Sequence, residues 1–120
     1  MAWITPKTNW SGSRDADGVY TGDYFQAADW NRILGNATVL NDYLDSQQRG
    51  VRIETVAMSV GTYLNQAMID QFCLELSLIW YGILGEDTPS DADINTTFFN
   101  YQTLNLIETT MAEAYEVIQP

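Results

Sequence analysis

An internal repeat limits the possible folds of this chain more than any other feature, because each copy must bury the same kind of face. Three segments align without gaps: Tyr24-Phe25-Gln26, Tyr63-Leu64-Asn65 and Phe98-Phe99-Asn100, with starts 39 and 35 residues apart. Four residues after each amide comes an apolar residue, Trp30, Ile69 or Leu104, followed directly by Asn31, Asp70 or Asn105. Ile33, Phe72 and Ile107 then fall in register, as do Ala37, Leu76 and Met111.

The repeat reads as a helix start. Asn is a strong N-cap, since its side-chain oxygen accepts from the free amides of the first turn. Asn65 and Asn100 suit that role; Gln26 suits it poorly, and Asp29 is placed to help. The aromatic residue or Leu before the cap can pack back onto the first turn as a hydrophobic staple. Apolar residues then return at helical spacing: Trp30, Ile33, Ala37, Leu40 and Leu44; Ile69, Phe72, Leu76, Ile79 and Ile83; Leu104, Ile107, Met111, Tyr115 and Ile118. Gly50 and Gly85 mark helix ends, with Pro89 beyond the second.

The pattern predicts an all-α fold: a three-helix bundle of related repeats in one domain, residues 1–120, with helices at about 27–49, 65–84 and 100–118. Residues 1–23 read as an irregular arm and 86–97 as a polar loop. Residues 51–60 fit a short strand or a helical turn equally well. Gly35, Thr38 and Asn41 make the first helix dependent on its neighbours. The second is apolar nearly all round through Leu74, Leu78, Trp80 and Tyr81, so it should be central or face another protein. Asn31, Asp70 and Asn105 are each expected to hydrogen-bond backbone of the loop preceding their helix.

Charge narrows the function. The chain carries −11, with all five basic residues among the first 52. Residues 1–52 sum to −1 and residues 53–120 to −10. This argues against a nucleic-acid partner, whose phosphates require clustered Lys and Arg. It suits a solvated surface, or an acidic face for a basic protein or divalent cation. The N-terminus has neither the basic start nor the apolar run of a signal peptide. The apolar-rich stretch Phe72–Leu84 is shorter than the roughly 20 residues that cross a bilayer, so no membrane association is expected.

Histidine is absent and there is one cysteine, Cys73. No Ser–His or Cys–His catalytic pair is available, and Cys73 lies in the most apolar run, where a buried, inert thiol is expected. There is no Gly-rich phosphate loop. Asp15-Ala16-Asp17-Gly18 faintly resembles a calcium loop, yet its twelfth position is Gln26 where Glu is required. Turn and cap chemistry is the better reading there, and for Asp87, Asp91 and Asp93. The expectation is therefore no enzyme, no cofactor and no metal. Trp3 and Trp10 are expected either to clamp the arm or, with Asp87, Asp91 and Asp93, to contact a partner.

Two stretches carry a family resemblance. Trp3-Ile4-Thr5-Pro6-Lys7-Thr8-Asn9-Trp10 and Asp23-Tyr24-Phe25-Gln26-Ala27-Ala28-Asp29-Trp30-Asn31-Arg32-Ile33 resemble a module of phage and prophage structural proteins of Gram-positive gut bacteria. Asn100–Glu108 resembles a later helix start of the same module. Gln26 departs from the Asn cap usual there. The resemblance implies a virion- or tail-associated adaptor whose partners are other virion proteins. It would reside in the host cytoplasm during assembly and then in the virion, and a homo-oligomer fits the symmetry of tails. It brings no catalytic residues. Two alternatives are a small acidic phage inhibitor that occupies a basic host protein, and a glycan-binding part of a host-recognition apparatus that uses Trp3 or Trp10.

Overall fold

The computed structural model describes residues 3–59, 62–86, 88–98 and 100–119, with Thr21 by its backbone only. The chain is mostly helical. A short antiparallel hairpin, β1 (Gly12–Arg14) and β2 (Tyr20–Gly22), is followed by α1 (Ala27–Ser46), α2 (Gln66–Leu84), α3 (Asp91–Asn95) and α4 (Tyr101–Ile118). The three long helices each pack against the other two, and α3 packs on α2. The aligned apolar positions all point inward. Trp30, Ile33, Ala37, Ile69, Phe72, Leu76, Leu104, Ile107 and Met111 are buried. An aromatic cluster joins the elements at one end, with Trp30 4.4 Å from Phe72 and 6.0 Å from Phe98, centroid to centroid.

The helix starts use the expected chemistry. Asn65 accepts from the amide of Met68 at 2.9 Å, and Asn100 from that of Gln102 at 2.7 Å. At α1 the carboxylate of Asp29 accepts the amide of Gln26 at 2.8 Å, which makes good the weak cap. Phe25 and Leu64 pack on the core as the staple residues; Phe99, the third, lies outside the described residues. The preceding aromatic diverges among the copies, since Tyr24 and Tyr63 are exposed and Phe98 is buried.

Three expectations need correction. Helix α1 stops at Ser46, short of Gly50, because Gln48 adopts a left-handed φ of 60°. The amides of Gln48 and Arg49 then return to the carbonyls of Asp45 and Leu44 at 2.9 Å each, a Schellman arrangement that satisfies the end of the helix without glycine. The arm contains the hairpin, whose turn is held by Asp15: its carboxylate accepts the amides of Asp17 and Val19 at 2.9 and 3.0 Å. The residue resembling a calcium ligand is thus a turn residue, and Gly18 supplies the positive φ of 80°. The polar loop contains α3, started by Ser90, whose hydroxyl accepts from the amide of Asp93 while Asp93 accepts that of Ser90. Its buried Ile94 faces α2 and the core.

Residues 51–59 are neither strand nor helix. They run extended along α1, and so does the arm from Trp3 to Trp10 along α4. Neither pairs in a ladder, so their backbone groups need other partners.

Candidate functional site

Those partners are side chains projecting from the helices. Four asparagines each clasp one residue of an extended segment by both its amide and its carbonyl. Asn36 holds Ile4 (2.9 and 2.7 Å) and Asn105 holds Trp10 (2.7 and 2.8 Å). Asn31 holds Met58 (2.7 and 3.0 Å) and Asn41 holds Val51 (2.8 and 2.6 Å). A carboxamide offers one acceptor and two donors on a rigid plane, so it reproduces the pair of bonds that a neighbouring strand would give. The indole of Trp30 adds a bond to the carbonyl of Val56 at 3.0 Å.

Two carboxylates complete the clasp. Glu75, 2% exposed, accepts the amides of Glu54 and Thr55 at 2.8 and 3.3 Å and the side chain of Gln71 at 2.6 Å. Glu108, 1% exposed, accepts the amide of Lys7 at 3.0 Å, the indole N–H of Trp10, and Arg32 Nε and Nη2 at 2.7 and 2.9 Å. Four donors fill the lone-pair sites of one ionised carboxylate. Arg32 also reaches Asp29 at 2.9 Å. Burial alone would lower the Arg32 pKa, but the hydrogen bonds and charges of Glu108 and Asp29 outweigh it and raise the value further. The guanidinium is thereby fixed as a cation.

The repeated polar position departs from expectation. Asn31 and Asn105 do bind backbone, though not of the loop entering their own helix. Asn31 on α1 holds the segment that enters α2, and Asn105 on α4 holds the arm that leads to α1. Asp70 binds no backbone among the described residues; it takes the side chains of Gln66 at 2.8 Å and of Asn95 in α3 at 2.5 Å. Both amides hold its carboxyl below the ordinary value of 3.8. Asn31, Asp70 and Asn105 therefore link each long helix to the chain feeding another.

The proposed contact residues fall in different places. Trp10 is 3% exposed, under the arm and against Glu108, and offers no surface to a partner. Trp3 stacks on Tyr115 of α4 with centroids 3.9 Å apart and planes within 4°. Asp93 caps α3, and the Ser90 backbone and hydroxyl bonds lower its pKa. Asp91 is exposed on α3. Asp87 lies outside the described residues. Cys73 is fully buried, and desolvation, with the nearby charges of Asp70 and Asp91, pushes its thiol up to about 12. Among the described residues no group of three His, Cys, Asp or Glu side chains is placed to hold a metal ion.

The all-round apolar character of α2, which left it either central or facing another protein, divides in the structure into a buried and an outward face. The helix runs 19 residues, close to the expected 65–84, and by length and composition alone it is long and apolar enough to cross a membrane. In the structure it packs against α1, α3 and α4, with Glu75 drawn into the clasp. Trp80 is buried, whereas Leu74, Leu78 and Tyr81 are exposed. Their spacing of four and three residues puts them on one face, a signal present in the sequence. A hollow of about 290 Å³ adjoins them, lined by Ser77, Leu78, Tyr81, Glu86, Pro89 and Asp91 among others. A larger hollow, about 470 Å³, lies between the hairpin and the start of α1, lined by Tyr20, Tyr24, Phe25, Met58 and Leu64 among others. No protein-family model, no curated protein and no solved structure matches the chain.

Proposed function

We propose that this chain is a phage- or prophage-encoded structural adaptor of the virion or tail, a bundle of three related helix repeats acting through protein–protein contacts. One observation supports the reading above the others. The residues of the resembling stretches, from Trp3 to Trp10 and from Asp29 to Arg32, are occupied in tying the arm and helices together. The clasp asparagines, Glu75 and Glu108 are spent on intramolecular bonds, while α2 presents apolar residues outward. An exposed apolar face of this kind suits docking to another component.

Mass spectrometry of purified particles tests this. The chain is expected in virions at a fixed ratio to tail proteins; a chain found free in infected cells and missing from particles defeats the reading. A second reading, an acidic inhibitor of a basic host protein, draws on the −10 carried by residues 53–120. It predicts that opposite distribution, together with capture of a host protein that is lost steeply as salt is raised.

A further inference from the structure

The exposed face of α2 carries two features that act together. Leu74, Leu78 and Tyr81 stand 42%, 47% and 58% exposed along one face. Apolar side chains at this spacing match the stripe of a facing amphipathic helix. The second feature is charge. The stripe is bounded by Asp70 at one end and, around the adjoining hollow, by Glu86 and Asp91 at the other, all exposed. No Lys or Arg occurs anywhere in residues 53–120. The C-terminal end of α2 adds the negative pole of its helix dipole beside Glu86. Arg49 is the cation bound to this end, and it is engaged from the α1 side, donating to the carbonyl of Gly82 at 3.2 Å.

We infer that this face docks a cationic amphipathic helix of a partner protein, with apolar residues on Leu74, Leu78 and Tyr81 and a Lys or Arg seated between Glu86 and Asp91. The inference rests on the adaptor reading and names the surface it would use. Tyr81, Glu86 and Asp91 all line the hollow, so a cation entering it meets a tyrosine side chain as well as two carboxylates. A second copy of this chain is a poor occupant, because it would bring the same acidic rim and a further −11 of charge.

The probe is an 18-residue helical peptide of Leu and Lys in amphipathic order, labelled for fluorescence anisotropy and compared with a version in which Glu replaces every Lys. The Lys peptide is expected to bind and the Glu peptide to bind at least tenfold more weakly. Leu74→Ser with Leu78→Ser, which leaves charge unchanged, should weaken binding at least tenfold. Glu86→Gln with Asp91→Asn should weaken it about as much. Asp42→Asn with Glu116→Gln removes two charges from exposed positions elsewhere and should change it less than threefold. Thermal melts confirm that each variant stays folded. Equal losses in both charge pairs, or no loss in the Leu pair, overturn the inference, since attraction would then be diffuse. Binding to phosphatidylcholine vesicles that the Leu pair abolishes, without peptide binding, also overturns it and assigns the face to lipid. If the peptide fails while the chain is found in virions, the adaptor reading stands and this face is not its docking surface.

Discussion

Glu75 and Glu108 occupy comparable depths and accept comparable numbers of N–H groups, yet they differ in one respect that decides their worth. Glu108 faces the guanidinium of Arg32, whereas Glu75 has no ion pair among the described residues. Removing one member of a buried ion pair costs about 3–5 kcal/mol, and the low end applies to Glu108 because Asp29 still faces Arg32 at 2.9 Å. Removing the charge from a carboxylate held by neutral donors weakens charge-assisted bonds, at about 1–2 kcal/mol. Glu108→Gln is therefore expected to lower stability by about 3 kcal/mol and Glu75→Gln by about 1 kcal/mol. Urea unfolding of both variants checks this; equal losses would show that Arg32 contributes nothing through charge. Neither carboxylate was visible from the sequence as a clasp residue. Each sits at a helical position beside the apolar stripe, and only its partner, more than 20 residues away in one case and about 100 in the other, shows why it is buried.

The elements were legible where chemistry is local. The caps Asn65 and Asn100, the stop at Gly85 and the apolar stripes are all written within a few residues. Helix α3 had the same kind of signal in Ser90 and Asp93, but five residues carry too little periodicity to register. The end of α1 was misread because Gln48 takes a conformation that usually falls to glycine. A left-handed φ costs a side-chain-bearing residue about 1 kcal/mol. Gln48→Gly should therefore stabilise the chain, with part of the gain lost to the freer unfolded state, leaving a rise of about 2 °C in melting temperature. A fall would mean that the side chain of Gln48 makes a contact worth more than the strain. Helix α3 offers a pH test. Asp70 and Asp93 both have folded-state values below 3.8, so their contribution is present above that pH and lost as pH falls through the lowered values. The α3–α2 junction should loosen below about pH 4, before the rest of the fold. The methyl signals of Ile94, followed by NMR from pH 6 to pH 2, should shift ahead of those of Leu40. In Asp93→Asn the cap's share of that early shift should vanish; an unchanged profile would remove Asp93 from the account.

At the scale of the whole molecule, two extended segments are held against the long helices by side chains that reach distant backbone groups. Length, periodicity and capping foretell the helices, but the course of a segment such as 51–59 depends on partners on α1 and α2 that no local pattern reveals. The same inward assignment leaves the outside to the remaining acids. The chain carries −11 within dimensions of 53 × 29 × 27 Å. At 0.01 M salt the screening length is about 30 Å, so carboxylates repel one another across the short axes; at 0.15 M it is about 8 Å and only neighbours interact. Unlike charges also attract, but the half-buried Lys7–Asp23 pair and the exposed Arg52–Glu54 pair are each worth little. The Arg32–Glu108 pair is shielded by burial and loses little to salt. Repulsion therefore dominates what salt can change, and the melting temperature should rise between 0.01 M and 0.15 M NaCl by about 4 °C, equivalent to about 1 kcal/mol for a chain of this length. Calorimetry at the two concentrations, with the Asp42→Asn/Glu116→Gln variant beside the parent, decides it. The variant should start higher and gain less; a parent melting temperature that falls with salt would mean that attraction among surface charges outweighs the excess of acids.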